Sequence, residues 1–160
     1  MRILLPIDGS DLSLDAVRHV LRLAGAGLQA SFLLVNVQEP THLYEVLMLR
    51  DPEARAAAAR EAGEHALQGA QALLDAAGYG YEIEVATGDP ATSLVDVAER
   101  EGCDAIVMGS FGHGALSEAL LGSVTQAVLS RANVPVTIVK HPSLEEPPPP
   151  AALDEGAAEE

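Results

Sequence analysis

The sequence predicts an α/β protein: a doubly wound, five-stranded parallel sheet of Rossmann-like type with helices on both faces. Three observations carry this expectation. Short, almost wholly apolar runs at Ile3–Ile7, Phe32–Val37, Ala105–Met108 and Pro135–Val139 read as strands buried on both faces. Stretches with helical spacing separate them, in the order β-α-β-α-β-α-β-α-β, which implies parallel strands joined by right-handed crossovers. Aromatic residues make up only 3% of the chain, so the core must be Leu, Val, Ile and Ala.

The first run ends at Asp8-Gly9-Ser10, where Ser10 suits a helix N-cap. Leu14, Val17, Leu21 and Ala24 follow at helical spacing until Gly25 and Gly27 stop the helix. Phe32–Val37 is the second strand, closed by Gln38-Glu39-Pro40. Between Thr41 and Asp51, Leu43, Val46 and Leu47 share a helical face, but Asp51-Pro52 breaks the pattern. An alanine-rich helix is expected from about Glu53 to Ala77. Gly63 and Gly69 weaken it, so packing along Leu67, Ala70 and Leu74 must hold it. Tyr81, Ile83 and Val85 alternate with Glu82 and Glu84, which predicts a strand with one wet face at the sheet edge. Asp89-Pro90 opens the next helix, with Leu94, Val97 and Ala98 inward and Gly102 at its end. After the strand Ala105–Met108 and a glycine-rich stretch, a helix from about Gly122 to Arg131 places Val124, Ala127, Val128 and Leu129 on its buried face. Pro135–Val139 is the last strand.

At 160 residues the chain fits one domain with a continuous core. The folded body is expected over residues 1–142, and residues 143–160, rich in proline, alanine and acid, as a disordered solubilising tail. A formal charge of −15 argues against nucleic acid or an anionic membrane as partner. No apolar run reaches the ~18 residues that span a bilayer, and the start is too short an apolar run for a signal peptide. The single cysteine, Cys103, has no intrachain partner and no metal-ligand spacing around it. A cytoplasmic location is expected.

The stretch from Met108 to Thr125 carries the functional signal. Gly109, Gly112, Gly114 and Gly122 stand between a strand and a helix, with Ser110, Ser117, Ser123 and Thr125 among them. Glycines admit close backbone approach, and N–H groups at a helix start beside small hydroxyls receive phosphate oxygens. In sheets of this kind ligands bind beyond the carboxyl ends of the strands, where strand order reverses. If the first and fourth strands are neighbours there, Asp8 and the glycine stretch face one crevice. Three other motifs fail. A P-loop needs a lysine, and Gly109–Thr125 has no lysine or arginine. The dinucleotide fingerprint breaks at Ala115-Leu116-Ser117, and a nucleophile elbow at Ser110 has Met108 where it needs glycine. A phosphoacceptor receiver domain shares the element order, but its third strand here ends at Thr87-Gly88 instead of an aspartate.

The spacing Gly109, two residues, Gly112, nine residues, Gly122-Ser123, with Met108 before it and Val124-Thr125 after it, resembles the nucleotide loop of the universal stress protein family, whose fold is of the adenine-nucleotide alpha-hydrolase type. Pro6-Ile7-Asp8-Gly9-Ser10 and Pro135–Val139 extend the resemblance, which covers about residues 1–141 and is weak between Thr41 and Ala77. It implies strand order 3-2-1-4-5 and adenine-nucleotide binding. By that resemblance Pro6, Ile7 and Asp8 line the base and ribose side, and Val37 packs on adenine. Met108 and Gly109 approach base and ribose, and Gly112, Gly122, Ser123, Val124 and Thr125 hold phosphates. The residues themselves leave plainer roles open: Val37 and Met108 as core, Asp8 as support for the turn before Ser10. The resemblance also implies pairing through the last strand. Val136–Val139, a nearly apolar edge, suits a homodimer.

Family members commonly carry a basic residue in the nine-residue spacer, where this chain has His113 and Glu118. Mg²⁺- or Mn²⁺-dependent ATP binding, or a preference for ADP or AMP, is therefore expected. No residue set for efficient catalysis is evident, so at most slow ATP hydrolysis follows. The leading reading is a dimeric, nucleotide-binding stress or regulatory module acting on an unidentified protein partner. The alternatives are a nucleotide-free interaction protein of the same fold and a serine hydrolase using Ser110 with His113 or His141.

Overall fold

The structure, a computed structural model, describes residues 1–39, 52–110 and 121–141. Residues 40–51 with the Thr41–Asp51 segment, residues 111–120 with Gly112, and residues 142–160 with the tail expected over 143–160 lie outside the described residues. The elements alternate as expected: β1 (Arg2–Pro6), α1 (Asp11–Gly25), β2 (Ser31–Gln38), α2 (Pro52–Ala76), β3 (Tyr81–Thr87), α3 (Pro90–Arg100), β4 (Ala105–Gly109), α4 (Ser123–Arg131) and β5 (Val136–Val139). All strand pairs are parallel, in the order β3-β2-β1-β4-β5. Leu4 stands opposite Ile106, so β1 and β4 are neighbours and the strand order reverses between β1 and its two flanks.

Each element forms where local chemistry directs it. Ser10 caps α1, its hydroxyl accepting from the Ser13 amide at 3.2 Å. Asp89 caps α3 in the same way, accepting from the Thr92 amide at 2.9 Å, and Pro90 occupies the first turn, where a missing N–H costs nothing. Two apolar layers sandwich the sheet. One joins Ile3, Leu5, Ile7, Phe32, Leu34 and Val107 to Val17 and Val20 of α1 and Leu67, Ala70 and Leu74 of α2. The other joins Leu4, Leu33, Val35, Ile106 and Met108 to Leu94, Val97 and Ala98 of α3 and Val128 of α4. α2 rests on the sheet through Gly63: a Cβ there would stand 2.8 Å from Val85 Cγ2 and 3.0 Å from Asn36 Oδ1.

Two expectations from periodicity fail. Ile83 is 43% exposed although its neighbours in the alternation, Tyr81 and Val85, pack on the core. β3 is an edge strand with a partner on one side only, so burial of its faces depends on the helices above them. Glu84, on the other face, lies flat in a bidentate pair with Arg100, both contacts 2.6 Å. Leu129 is 41% exposed, whereas Thr125 and Val128 form the buried stripe of α4. A helix of this length, lying over an outer strand, is covered along a narrow stripe only.

Candidate functional site

The carboxyl ends of β1 and β4 form adjacent tips, and each is fixed by hydrogen bonds that continue past the strand. At β1 the Ile7 amide donates to the Val35 carbonyl at 2.8 Å. The Ile7 carbonyl accepts from Asn36 Nδ2 at 2.7 Å, and Asn36 Oδ1 accepts from Gln38 Nε2 at 2.6 Å. Asn36, 3% exposed, thus locks the tip from β2. One amide inside an otherwise apolar strand is itself a signal in the sequence, because a buried amide needs partners. Asp8 follows, half-buried. Its Oδ1 accepts from both the amide and the hydroxyl of Ser10, at 2.9 and 2.6 Å, so the carboxylate braces the turn into α1. Gly9 makes that turn at φ +85°, where a side chain would be strained.

At β4 the Ser110 amide donates to the Val139 carbonyl at 2.9 Å, extending the ladder one step beyond Gly109. The Gly122 amide donates to the Ser110 carbonyl, also at 2.9 Å, which returns the chain to the tip before α4 begins. Thr125, 3% exposed, donates its hydroxyl to the Gly109 carbonyl at 3.2 Å. α4 therefore starts against the end of β4. Gly122 is its N-cap and offers no side-chain acceptor, unlike Ser10 at α1 and Asp89 at α3. The amides of Ser123, Val124 and Thr125 have no acceptor within the helix, and the helix dipole adds partial positive charge there.

Pro6, Ile7, Asp8, Val37, Met108, Gly109, Gly122, Ser123, Val124 and Thr125 all lie along this carboxyl-terminal rim or the helix start it carries. Gly112 lies outside the described residues. The side chains of Ile7 and Met108 are core, 2% and 5% exposed, so their backbones are what a ligand would reach. Val37 is half-buried against the layer that contains Met108. A cavity of about 420 Å³ lies beside the β1 tip, between α1 and α2, with Asp8, His65 and Gln68 as its polar lining, and no local sequence pattern marks it. Among the described residues no group of three His, Cys, Asp or Glu could hold a metal ion.

Among the described residues Ser110 does not assemble a hydrolytic triad, and His113 lies outside them. Its amide bonds to β5 as Ile106's does, so its side chain leaves the sheet on the side of Ile106 and Met108, toward α3 and α4. His141 instead reaches Asp15 of α1 on the opposite face, with Nδ1 2.6 Å from Oδ2. The carboxylate and imidazole of that pair are separated from Ser110 by the sheet.

The family model for "Universal stress protein family" matches residues 1–140. The chain belongs to the universal stress protein family. The universal stress protein MJ0531 of Methanocaldococcus jannaschii is 32% identical over 144 residues, 90% of this chain and 84% of that one. The solved structure of the hypothetical protein MJ0577 from the same archaeon superposes with a TM-score of 0.73 at 32% identity, covering 88% of this chain and 95% of the other. A universal stress protein solved in complex with cAMP superposes with a TM-score of 0.60 at 26% identity, covering 88% and 96%. Among the described residues no helix is long and apolar enough to cross a membrane.

Proposed function

We propose that this universal stress protein binds an adenine nucleotide across the β1 and β4 tips and acts as a ligand-dependent regulatory module. The observation that carries the reading is the uncapped start of α4, held against Gly109 and Ser110 beside the strand that ends in Asp8. Backbone N–H groups of Ser123, Val124 and Thr125 would take phosphate oxygens. The backbone of Pro6–Asp8 and of Met108-Gly109 would flank base and ribose, with Val37 against adenine. The cAMP complex of the relative at 26% identity supports an adenine nucleotide as the ligand class. Mg²⁺ or Mn²⁺ would enter with the phosphates, because the described residues build no cage of their own. Without a basic residue in the spacer, ADP or AMP competes well with ATP. Among the described residues no group is placed to activate water, which supports a sensing role with at most slow hydrolysis.

The module acts as a homodimer through β5. That strand pairs with β4 on one side only and is nearly apolar at Val136–Val139, whereas the opposite edge, β3, carries Glu82 and Glu84 in ion pairs with Arg2 and Arg100. An uncharged edge accepts another strand; a charged one resists it. Ligand state would then bias contacts of the dimer with a protein partner.

Mass spectrometry of natively purified protein, followed by calorimetry with ATP, ADP, AMP and cAMP, tests the reading. Co-purified or titratable adenine nucleotide is the expected result. Absence of both would leave a nucleotide-free interaction protein of the same fold.

A further inference from the structure

The glycine-rich stretch brings no permanently charged cation to an anionic ligand, since Gly109–Thr125 contains neither lysine nor arginine. We propose that Lys140, the chain's single lysine, supplies the positive charge for the ligand's phosphates from the end of β5, and that the Asp15–His141 pair holds it there. The proposal rests on the nucleotide reading above and names a residue that reading lacks.

The direction of Lys140 follows from the alternation of side chains along an extended strand. Ile138 packs into the layer beneath α3 and α4, and Val139 into the layer beneath α1 and α2. His141 reaches Asp15 on α1, so the alternation continues past the end of β5. Lys140, between Val139 and His141, therefore leaves the sheet on the α3–α4 side. The register puts it beside Ser110: Gly109 is opposite Val139, and the Ser110 amide donates to the Val139 carbonyl. Ser110 in turn receives the Gly122 amide, the residue that caps α4 without a side-chain bond. Lys140 thus emerges next to the one described helix start whose cap offers no acceptor, on the same face of the sheet. It is exposed, and among the described residues no carboxylate pairs with it.

Asp15 and His141 are positioning residues in this arrangement. The Asp15 side chain is 9% exposed and is held from both sides, by Arg18 Nη1 at 2.9 Å on Oδ1 and by His141 Nδ1 at 2.6 Å on Oδ2. A buried carboxylate fixed in this way anchors the chain immediately after Lys140 and removes the freedom that the end of a four-residue edge strand would otherwise have. An ammonium on a flexible stem meets phosphate as a point charge, without demanding bidentate geometry. The chemical class selected is an adenosine carrying phosphate, against the uncharged nucleoside.

Calorimetry of full-length wild type, Lys140→Gln, Lys140→Arg and His141→Ala with ATP, AMP and adenosine tests the assignment, at low and high salt. Lys140→Gln is expected to weaken ATP binding roughly tenfold, the scale of one hydrogen bond to a charged group, and AMP binding less, while adenosine changes under twofold. Lys140→Arg retains ATP affinity, and His141→Ala loses part of it with adenosine unaffected. The salt dependence of ATP binding becomes shallower in Lys140→Gln. A wild type that binds ATP, with Lys140→Gln matching its ATP-to-adenosine ratio, overturns the role of the lysine alone. A wild type that binds none of the three overturns the underlying nucleotide reading and the lysine's role with it. Lys140 is exposed, so circular dichroism of the variant should superpose on wild type.

Discussion

The hydroxyl of Thr125, on the first turn of α4, donates to the carbonyl of Gly109, the last residue of β4, at 3.2 Å, and the side chain is 3% exposed. The bond fixes where the helix start stands relative to the strand tip, so it links stability to the geometry of the site. Thr125→Val keeps the shape and leaves the Gly109 carbonyl unsatisfied. Chemical denaturation is expected to show a loss of about 1–2 kcal/mol, together with weaker ATP binding. Thr125→Ser should restore both. Full ATP affinity in Thr125→Val would show that the bond does not position the helix.

Two glycines of α2 should respond in opposite directions to alanine. At Gly63 a new Cβ meets Val85 at 2.8 Å and Asn36 Oδ1 at 3.0 Å, and neither neighbour can retreat within the packed sheet. The overpacking cost of about 1–3 kcal/mol exceeds the helix-propensity gain of about 1 kcal/mol, so Gly63→Ala lowers stability. At Gly69 the nearest atom is Leu14 Cδ1 at 3.2 Å, the tip of a half-buried side chain that can turn aside. Gly69→Ala is expected to stabilise by about 0.5 kcal/mol. Equal shifts in urea midpoint would refute the packing account.

Cys103 lies under α3, 5% exposed, and burial is the leading cause that pushes its thiol pKa up. Its thiolate fraction at pH 8 is small, and the thiolate is the reactive form. Alkylation by iodoacetamide under native conditions should be at least tenfold slower than in urea. Native labelling at the denatured rate would mean that this layer opens readily.

Asp89 has a carboxyl pKa below its ordinary value, chiefly through the Thr92 hydroxyl, then the Thr92 amide, with Arg131 nearby. A carboxylate held low in the folded state stabilises above its unfolded pKa, and that contribution disappears as pH falls through the folded value. Replacing Asp89 with Ala should therefore lower the melting temperature by a few degrees near neutrality. The gap from wild type should begin to narrow below about pH 4 and shrink further as pH falls. A gap unchanged at pH 3 would mean that the charge is not what caps α3.

The uncharged β5 edge predicts association of the full chain. Sedimentation velocity at micromolar concentration should give a dimer, and only monomer at that concentration would count against pairing through Val136–Val139.

Much of this molecule is determined by residue order alone. Ser10 and Asp89 announce their helices because a cap is a local hydrogen bond within one turn. Leu67, Ala70 and Leu74 mark a buried face because helical spacing repeats over a long segment. The neighbouring tips of β1 and β4 were legible from alternating elements together with the family resemblance. The candidate site could be located in the same way, since its residues cluster at strand ends. What spacing could not supply was anything decided across the sheet. The exposure of Ile83 and Leu129 depends on how far one element covers another. The need for glycine at 63 depends on Val85, and the commitment of the Thr125 hydroxyl depends on Gly109. Asp15 and His141 stand 126 positions apart in the chain and meet only because β5 lies against α1. Local patterns report backbone preferences and solvent periodicity, whereas contacts between distant residues exist only after the layers have packed.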